Sequence, residues 1–136
     1  MRGLLIDTNA YSAFKAGDPD IGEVLRLADT IYLCPIVLGE LLAGFLSGGR
    51  EARNRKELAD FLASARVRVL PMDGACADSY ALVYLQLRRK GRPIPTNDLW
   101  LAAAALRHGL DLLTRDAHFL DVEGLRVIRG ASDYLF

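Results

Sequence analysis

The 136-residue sequence is poor in cysteine: it has only Cys34 and Cys76, and both lie in apolar segments. Two cysteines cannot form the disulfide framework of a small secreted protein, so a reduced compartment fits best. An excess of charge of one sign is also absent, because 17 Lys and Arg balance 17 Asp and Glu. A neutral chain has no global basic surface, so any contact with nucleic acid must come from local basic clusters.

An uninterrupted hydrophobic run of membrane-spanning length is missing as well. The strongest candidate, residues 30–49, contains Pro35 near its start and Glu40 near its middle. A carboxylate at the centre of a span opposes insertion by about 3 kcal/mol. The residues after Met1 do not follow the basic and then apolar pattern of a signal peptide, since Asp7 comes too early. We therefore expect a cytoplasmic protein.

Short apolar runs alternate with amphipathic stretches along the sequence and predict alternating strands and helices. The predicted strands span residues 3–6, 30–33, 67–70, 110–113 and 125–128, and the predicted helices span about residues 8–17, 18–28, 35–48, 50–65, 73–90 and 96–108. Such alternation favours right-handed crossovers. We expect an α/β fold, a three-layer α/β/α sandwich around a central, mostly parallel sheet, with residues 1–136 forming a single domain.

Helix boundaries are marked by capping residues. Asp18 before Pro19, Asp73 and Thr96 are each predicted to cap the helix that follows. The segment 92–95, Arg-Pro-Ile-Pro, cannot be helical and is predicted to be a loop.

Four acidic residues are isolated in apolar or strand-end surroundings. Asp7 and Asp116 directly follow predicted strands. Asp98 lies in the first turn of a helix that is entered from a loop, and Glu40 lies well inside another helix. Parallel strands present their carboxyl ends at one edge of the sheet, where α/β proteins bind ligands. We therefore expect at least three of the four acids to face that edge.

Carboxylates gathered in one cleft repel each other and lose water. They stay ionised only when a cation or hydrogen-bond donors compensate. Oxygen ligands without a neighbouring His or Cys favour a hard divalent ion, Mg²⁺ or Mn²⁺, over zinc. Such an ion can activate water and stabilise charge on a phosphodiester, so the four acids are candidate metal ligands of a hydrolase.

Each acid also has a simpler interpretation. Asp7 could cap the following helix, Asp98 could interact with the dipole of its own helix, and Asp116 could be an ordinary turn residue. Glu40 lies beyond the reach of capping and dipole effects, but it could belong to a plain exposed face. The combination of all four, and no single one, favours a metal site.

Four motifs together resemble the PIN-domain ribonucleases and, within them, the VapC toxins of bacterial and archaeal toxin–antitoxin pairs. The motifs are Asp7-Thr8-Asn9, Glu40-Leu41, the run from Asn97 to Ala103 and the run from Thr114 to Phe119. The resemblance covers essentially the whole chain, and the last two motifs are the specific ones. It implies a PIN-like α/β/α domain and metal-dependent cleavage of RNA.

The resemblance also implies roles for single residues. Carried over motif by motif, the acidic quartet of the family corresponds to Asp7, Glu40, Asp98 and Asp116, which would be both the catalytic and the metal-binding residues. Asp7 and Asp98 match the most direct ligands. The other two acids would complete the site, directly or through water.

Further polar residues lie within or near the same motifs. Asn9 and Thr114 match positions at which an amide or hydroxyl orients a carboxylate or water. Whether Asn97 or Asp121 also takes part stays open, and Asp111 is interpreted as a strand-edge residue.

The further implications of the resemblance are a Mg²⁺ (or Mn²⁺) cofactor, an RNA substrate, a homodimer and a small antitoxin that blocks the acidic cleft with a basic side chain. Three other functions stay open. The chain could be a housekeeping RNA- or DNA-processing nuclease without an antitoxin, or a binding module with a vestigial acidic site. A phosphatase with Asp7 as nucleophile would require a second acid two residues later, where the sequence has Asn9.

Several residues outside the quartet have two interpretations each. Two basic clusters could follow a phosphate backbone or could be solvated helix surfaces. The first cluster is Arg50, Arg53, Arg55 and Lys56, and the second is Arg88, Arg89, Lys90 and Arg92. His118 could transfer protons, but a partly exposed loop histidine is favoured. Trp100 is expected to pack in the core or at an interface.

Overall fold

The computed structural model describes residues 3–135. Five strands form one sheet in which every neighbouring pair is parallel. The strands are β1 Leu4–Ile6, β2 Ile31–Leu33, β3 Val67–Val69, β4 Asp111–Leu113 and β5 Val127–Ile128. Each predicted strand is therefore present, and the prediction of an α/β fold with a parallel sheet is confirmed.

Helices connect the strands and pack on the sheet. Within residues 3–135 they are α1 Thr8–Lys15, α2 Pro19–Leu27, α3 Pro35–Ser47, α4 Glu51–Leu62, α5 Gly74–Lys90, α6 Thr96–His108 and α7 Ala131–Leu135, with a 3₁₀ helix at Ala117–Asp121. The last two were not predicted, because five-residue elements carry no readable periodicity. Among the described helices, none is both long and apolar enough to cross a membrane.

Local side-chain chemistry sets two of the three predicted helix starts as expected. Asp18 accepts hydrogen bonds from the N–H groups of Asp20 and Ile21, and Asp73 accepts one from Cys76. The predicted cap at Thr96 is wrong by one position. Thr96 is the first helical residue, and Pro95 precedes it with no side-chain acceptor.

The strand order determines where the sheet has a cleft for a ligand. The order is β3-β2-β1-β4-β5, so the chain fills one side of β1 first and then crosses to the other side. The carboxyl ends of β1 and β4 therefore meet at the point where the direction of winding reverses, which is the position where such sheets bind ligands. Asp7 follows β1 and Thr114 follows β4, and both are buried there.

The core between the sheet and α6 is packed closely. β1 is completely buried, and so are Ala102, Ala103, Ala104 and Ala105 of α6. Small side chains let α6 approach its neighbours closely, and it packs against α5, α3 and β4. This packing fixes the N-terminal turn of α6, which carries Asp98, at the carboxyl edge of the sheet.

Candidate active site

A small cleft opens at the carboxyl ends of β1 and β4. Its volume is about 110 Å³, and it is lined by Asp7, Thr8, Asn9, Glu40, Asn97, Asp98, Leu101 and Asp116. A water molecule occupies about 30 Å³ of liquid volume. The cleft thus has room for a small ion with a few waters, and a nucleic-acid strand would have to lie across its mouth. The structure brings all four predicted acids into this one cleft.

Asp7 serves the fold and lines the cleft at the same time. Its Oδ1 accepts a hydrogen bond of 2.7 Å from the backbone N–H of Ala10, which caps α1. Its Oδ2 accepts one of 2.5 Å from the hydroxyl of Thr114. Burial raises the pKa of Asp7, while these two hydrogen bonds oppose the increase. The capping interpretation of Asp7 is therefore correct and does not compete with a place in the site.

Thr114 connects two of the acids. Besides donating to Asp7, its Oγ1 accepts a hydrogen bond of 3.0 Å from the backbone N–H of Asp116. Thr114 is fully buried at the end of β4. One hydroxyl group therefore holds the two carboxylate-bearing segments together.

Glu40 projects from α3 and is oriented by two polar neighbours. Its Oε1 accepts a hydrogen bond of 2.7 Å from the hydroxyl of Thr8, and its Oε2 accepts one of 3.4 Å from the side-chain amide of Asn97. The sequence alone left the participation of Asn97 open and did not single out Thr8. The position of Thr8 in the Asp7-Thr8-Asn9 motif was the available signal. Asn9 lines the cleft, but the hydrogen bonds to Glu40 come from the other two residues.

Asp98 is the acid with the least compensation. It lies in the first turn of α6, is partly buried, and accepts no hydrogen bond from the described part of the chain. Burial, followed by the charges of Asp116 and Glu40, raises the pKa of Asp98 to about 6, and His118 partly opposes this increase. A half-buried carboxylate beside other carboxylates favours a bound cation.

Asp116 lies at the start of the 3₁₀ helix and contacts His118 twice. Its Oδ1 accepts a hydrogen bond of 2.9 Å from the backbone N–H of His118 and lies 3.1 Å from Nδ1 of the same residue. Ligand atoms of Asp98, Asp116 and His118 all lie within 4.8 Å of one another. The favoured interpretation of His118 as an ordinary loop residue missed this proximity, which a capped turn brings about.

Asp121 does not line the cleft. Its backbone carbonyl accepts hydrogen bonds from the side chains of Gln86 and Lys90, and its carboxylate lies 3.9 Å from Nε of Arg92. The C-terminal end of α5 and the loop after it therefore engage Asp121. Part of the second basic cluster is neutralised locally in this way.

The first basic cluster lies along α4 and also has local partners. Arg53 pairs with Glu57 and Lys56 pairs with Asp60, each one turn further along the helix. These exposed pairs favour the interpretation of this cluster as a solvated helix surface.

The donors of the cleft are suited to a divalent cation. The carboxylates of four residues converge, and the described hydrogen bonds compensate Asp7 and Glu40 but leave Asp98 with none. Carboxylate oxygen is the ligand that Mg²⁺ and Mn²⁺ prefer in proteins. The residues present thus fit a hard divalent ion.

Comparisons with known proteins agree with this geometry. The sequence profile of the PIN domain family matches residues 4–125. Ribonuclease VapC4 of Mycobacterium tuberculosis (strain ATCC 25618 / H37Rv) is 33% identical over 132 residues, covering 94% of this chain and 97% of the relative. VapC ribonuclease Y4jK of Sinorhizobium fredii (strain NBRC 101917 / NGR234) is 32% identical over 134 residues, covering 92% and 95%.

The fold is also similar to solved structures. The crystal structure of VapBC2 from Rickettsia felis, bound to a DNA fragment from the promoter, contains a chain that superposes with a TM-score of 0.83 at 25% identity. The superposition covers 93% of this chain and 97% of that chain.

Proposed function

Because this chain belongs to the PIN domain family, we propose that it is a metal-dependent endoribonuclease that acts as the toxin of a toxin–antitoxin pair. The observation that carries the proposal is the convergence of Asp7, Glu40, Asp98 and Asp116 in one cleft. The ribonuclease activity named for its VapC relatives supports the choice of RNA as substrate. RNA would reach such an enzyme in the cytoplasm, and this location stays a prediction.

The cofactor we propose is Mg²⁺ or Mn²⁺, held by Asp7, Asp98 and Asp116, with Glu40 directly or through water. When bound, such an ion supplies activation of water and stabilisation of charge on the phosphodiester. Side chains of the protein position the ligands and transfer the proton. Thr114 holds Asp7 and Asp116 in a fixed relation, and a cleft carboxylate accepts the proton of the attacking water.

The polar neighbours of Glu40 keep that carboxylate turned toward the cleft. Thr8 donates to one oxygen of Glu40 and Asn97 donates to the other. Because these hydrogen bonds already orient the exposed side chain of Glu40, it loses little further entropy when substrate binds. Hydrolysis at this site would leave a 5′-phosphate and a 3′-hydroxyl, as the family resemblance implies.

The decisive experiment compares Asp98→Asn with the wild type on a labelled RNA in Mn²⁺ or Mg²⁺. The amide keeps the shape of the side chain but removes the charge, so cleavage should fall by at least about 100-fold. Asp60→Asn is the matched control, because Asp60 is 69% exposed on α4 and pairs with Lys56. The control should cleave like the wild type. Full cleavage by Asp98→Asn, or by the wild type in excess chelator, would contradict the metal-dependent mechanism, whereas no cleavage by the wild type would favour a binding module.

We propose a small antitoxin as the partner protein. The similarity to a chain of the Rickettsia felis VapBC2 structure supports this partner. A basic side chain of the antitoxin would enter the acidic cleft, where Asp98 has no hydrogen-bond donor from residues 3–135. Co-expression with the protein encoded beside this gene tests the pairing. We expect a stable complex in which both RNA cleavage and growth arrest are suppressed. A housekeeping nuclease would form no such complex with the neighbouring protein.

The homodimer expected from the sequence stays part of the proposal. Leu82, Tyr84 and Leu85 project from α5, and they are 70%, 45% and 41% exposed. Exposed apolar groups in a patch are typical of interfaces. Leu82→Lys combined with Leu85→Lys should convert a dimer to a monomer in light scattering with size-exclusion chromatography. An unchanged mass would place the contact elsewhere.

A further inference from the structure

The imidazole of His118 lies beside the carboxylates of the cleft and has no part in the function proposed above. Its Nδ1 atom is 3.1 Å from Oδ1 of Asp116. A ring nitrogen also lies within 4.8 Å of a carboxylate oxygen of Asp98. Asp98 belongs to the first turn of α6, whereas Asp116 and His118 belong to the turn after β4. Three potential ligand atoms thus converge from two separate elements.

The backbone around His118 is fixed relative to Asp116. The N–H of His118 donates to Oδ1 of Asp116, which is the cap of the 3₁₀ helix. The next residue, Phe119, is only 1% exposed and attaches this helix to the core. His118 itself is 57% exposed at its side chain, so its ring can adjust without disturbing the core.

The two acids beside His118 accept fewer hydrogen bonds from the described residues than the other two acids, since Asp116 accepts them on Oδ1 alone. Both oxygens of Asp7 accept hydrogen bonds, from Ala10 and Thr114, and both oxygens of Glu40 accept them, from Thr8 and Asn97. Asp98, by contrast, accepts none from the described residues. The carboxylate with the greatest unused capacity for a cation is therefore the one that lies near the imidazole.

We propose that His118 is a further ligand of the divalent ion, beside Asp98 and Asp116, and that it makes the site prefer a transition-metal ion such as Mn²⁺ over Mg²⁺. The inference rests on the proposed function, because it requires an ion in the same cleft. Ligands of small divalent ions lie at about 2.1 Å, so two donors on one ion are at most ~4.2 Å apart. The 4.8 Å limit observed here requires only a small adjustment of side chains.

The preference follows from the chemistry of the donors. Mg²⁺ is bound through oxygen and keeps several waters, so it gains little from an imidazole. Transition-metal ions bind imidazole nitrogen well, with affinity increasing from Mn²⁺ toward Cu²⁺. A site with one imidazole and carboxylates therefore distinguishes the two classes of ion, whereas a site made of carboxylates alone does not.

Pulsed electron paramagnetic resonance of bound Mn²⁺ tests the ligand directly, on protein purified without a polyhistidine tag. The chain has 2 histidines, so a nitrogen coupling to Mn²⁺ can be assigned with two variants. His118→Ala should lose the coupling. His108→Ala is the matched control and should keep it, because His108 ends α6 and contacts Cys76 at 3.8 Å. Absence of the coupling in the wild type would overturn the inference without any variant.

Calorimetric titration of the same proteins tests the selectivity. In His118→Ala the Kd for Mn²⁺ should rise about tenfold, whereas the Kd for Mg²⁺ should change by less than about twofold. An equal loss for both ions would overturn the inference, since His118 would then act only by holding Asp116. If Mn²⁺ binds without nitrogen coupling and RNA is still cleaved, only the role of His118 fails. Cleavage by Asp98→Asn would instead contradict the proposed function.

Discussion

Thr114 donates its hydroxyl hydrogen to Oδ2 of Asp7 across the junction of β1 and β4, over an oxygen–oxygen distance of 2.5 Å and a sequence separation of 107 residues. The same hydroxyl oxygen accepts the backbone N–H of Asp116. The residue is buried, so no water replaces these hydrogen bonds. The relative position of two cleft acids therefore depends on one hydroxyl group.

Thr114→Val should impair both the site and the fold. Valine has nearly the same shape but leaves Oδ2 of Asp7 and the N–H of Asp116 without their partner. The free energy of unfolding should fall by about 1–3 kcal/mol, the cost of unsatisfied buried polar groups. RNA cleavage should fall by about 10- to 100-fold, as for residues that orient metal ligands. Urea unfolding and a cleavage assay measure the two effects.

Thr114→Ser is the matched control for that variant. It keeps the hydroxyl and loses one methyl group, so cleavage should stay close to that of the wild type. If Val and Ser lose activity equally, packing of the methyl group and not the hydrogen bonds would hold the acids in place.

Asp98→Asn should stabilise the protein in the absence of metal. The charge of Asp98 is half-buried and is opposed by Asp116 and Glu40, so its removal relieves repulsion. Thermal unfolding in excess chelator should therefore show a higher Tm for the variant than for the wild type. In saturating Mn²⁺ the order should reverse, because an ion that binds only the folded state stabilises it, by about 2.7 kcal/mol at 100 times Kd. The same difference in Tm between variant and wild type in chelator and in Mn²⁺ would contradict a metal site at Asp98.

Arg126→Met should destabilise the protein through Asp111. Asp111 is fully buried in β4, and its Oδ2 pairs with Nη1 of Arg126 at 2.7 Å. From the sequence, Asp111 is interpreted as a strand-edge residue; in the structure it is the first residue of β4, which lies between β1 and β5. Arg126 itself is partly exposed, but its removal takes the cation away from a fully buried carboxylate, which costs about 3 kcal/mol. The comparison variant is Arg26→Met, which breaks an exposed pair with Glu23 and should destabilise the protein much less. Equal losses in chemical unfolding would show that burial is not the cause.

Arg115 should stabilise the fold only above a defined pH. The pKa of Asp18 is lowered to about 2 from an ordinary 3.8, first because Arg115 donates hydrogen bonds to its carboxylate and then because Ile21 does. A carboxyl whose pKa is lower in the folded state than in the unfolded chain stabilises the fold above its unfolded pKa, and loses this contribution as pH falls through the folded value. The stability difference between wild type and Arg115→Gln should be constant near neutrality and shrink from about pH 4 to pH 2.

Arg115→Lys tests the same pair with the charge retained. The stability of Arg115→Lys should differ less from that of the wild type than the stability of Arg115→Gln does, because lysine preserves the attraction but not the paired geometry. The difference should shrink over the same pH range. A difference for Arg115→Gln that persists unchanged at pH 2 would assign the contribution of Arg115 to packing of its side chain and not to the ion pair with Asp18.

Periodicity and capping in the sequence predicted the strands and the long helices well, because these depend on local chemistry. Asp18 and Asp73 cap their helices as expected, whereas the 3₁₀ helix at 117–121 and helix α7 carry too few residues to show a pattern. The acids were found because each is an unusual charge in its own segment. The contribution of Thr8 was missed although Thr8 lies in the Asp7-Thr8-Asn9 motif, because its partner Glu40 is 32 residues away in the sequence.

The sequence by itself determined which segments are strands and helices, and which side chains bring negative charge to the strand ends, because both follow from neighbours a few residues away. The tertiary structure alone decided which donors meet those charges. Thr114 reaches Asp7 and Asn97 reaches Glu40 only after the sheet order places β4 beside β1 and α6 beside α3. Hydrogen bonds act over about 3 Å, and the chain order does not encode separations on that scale between distant segments.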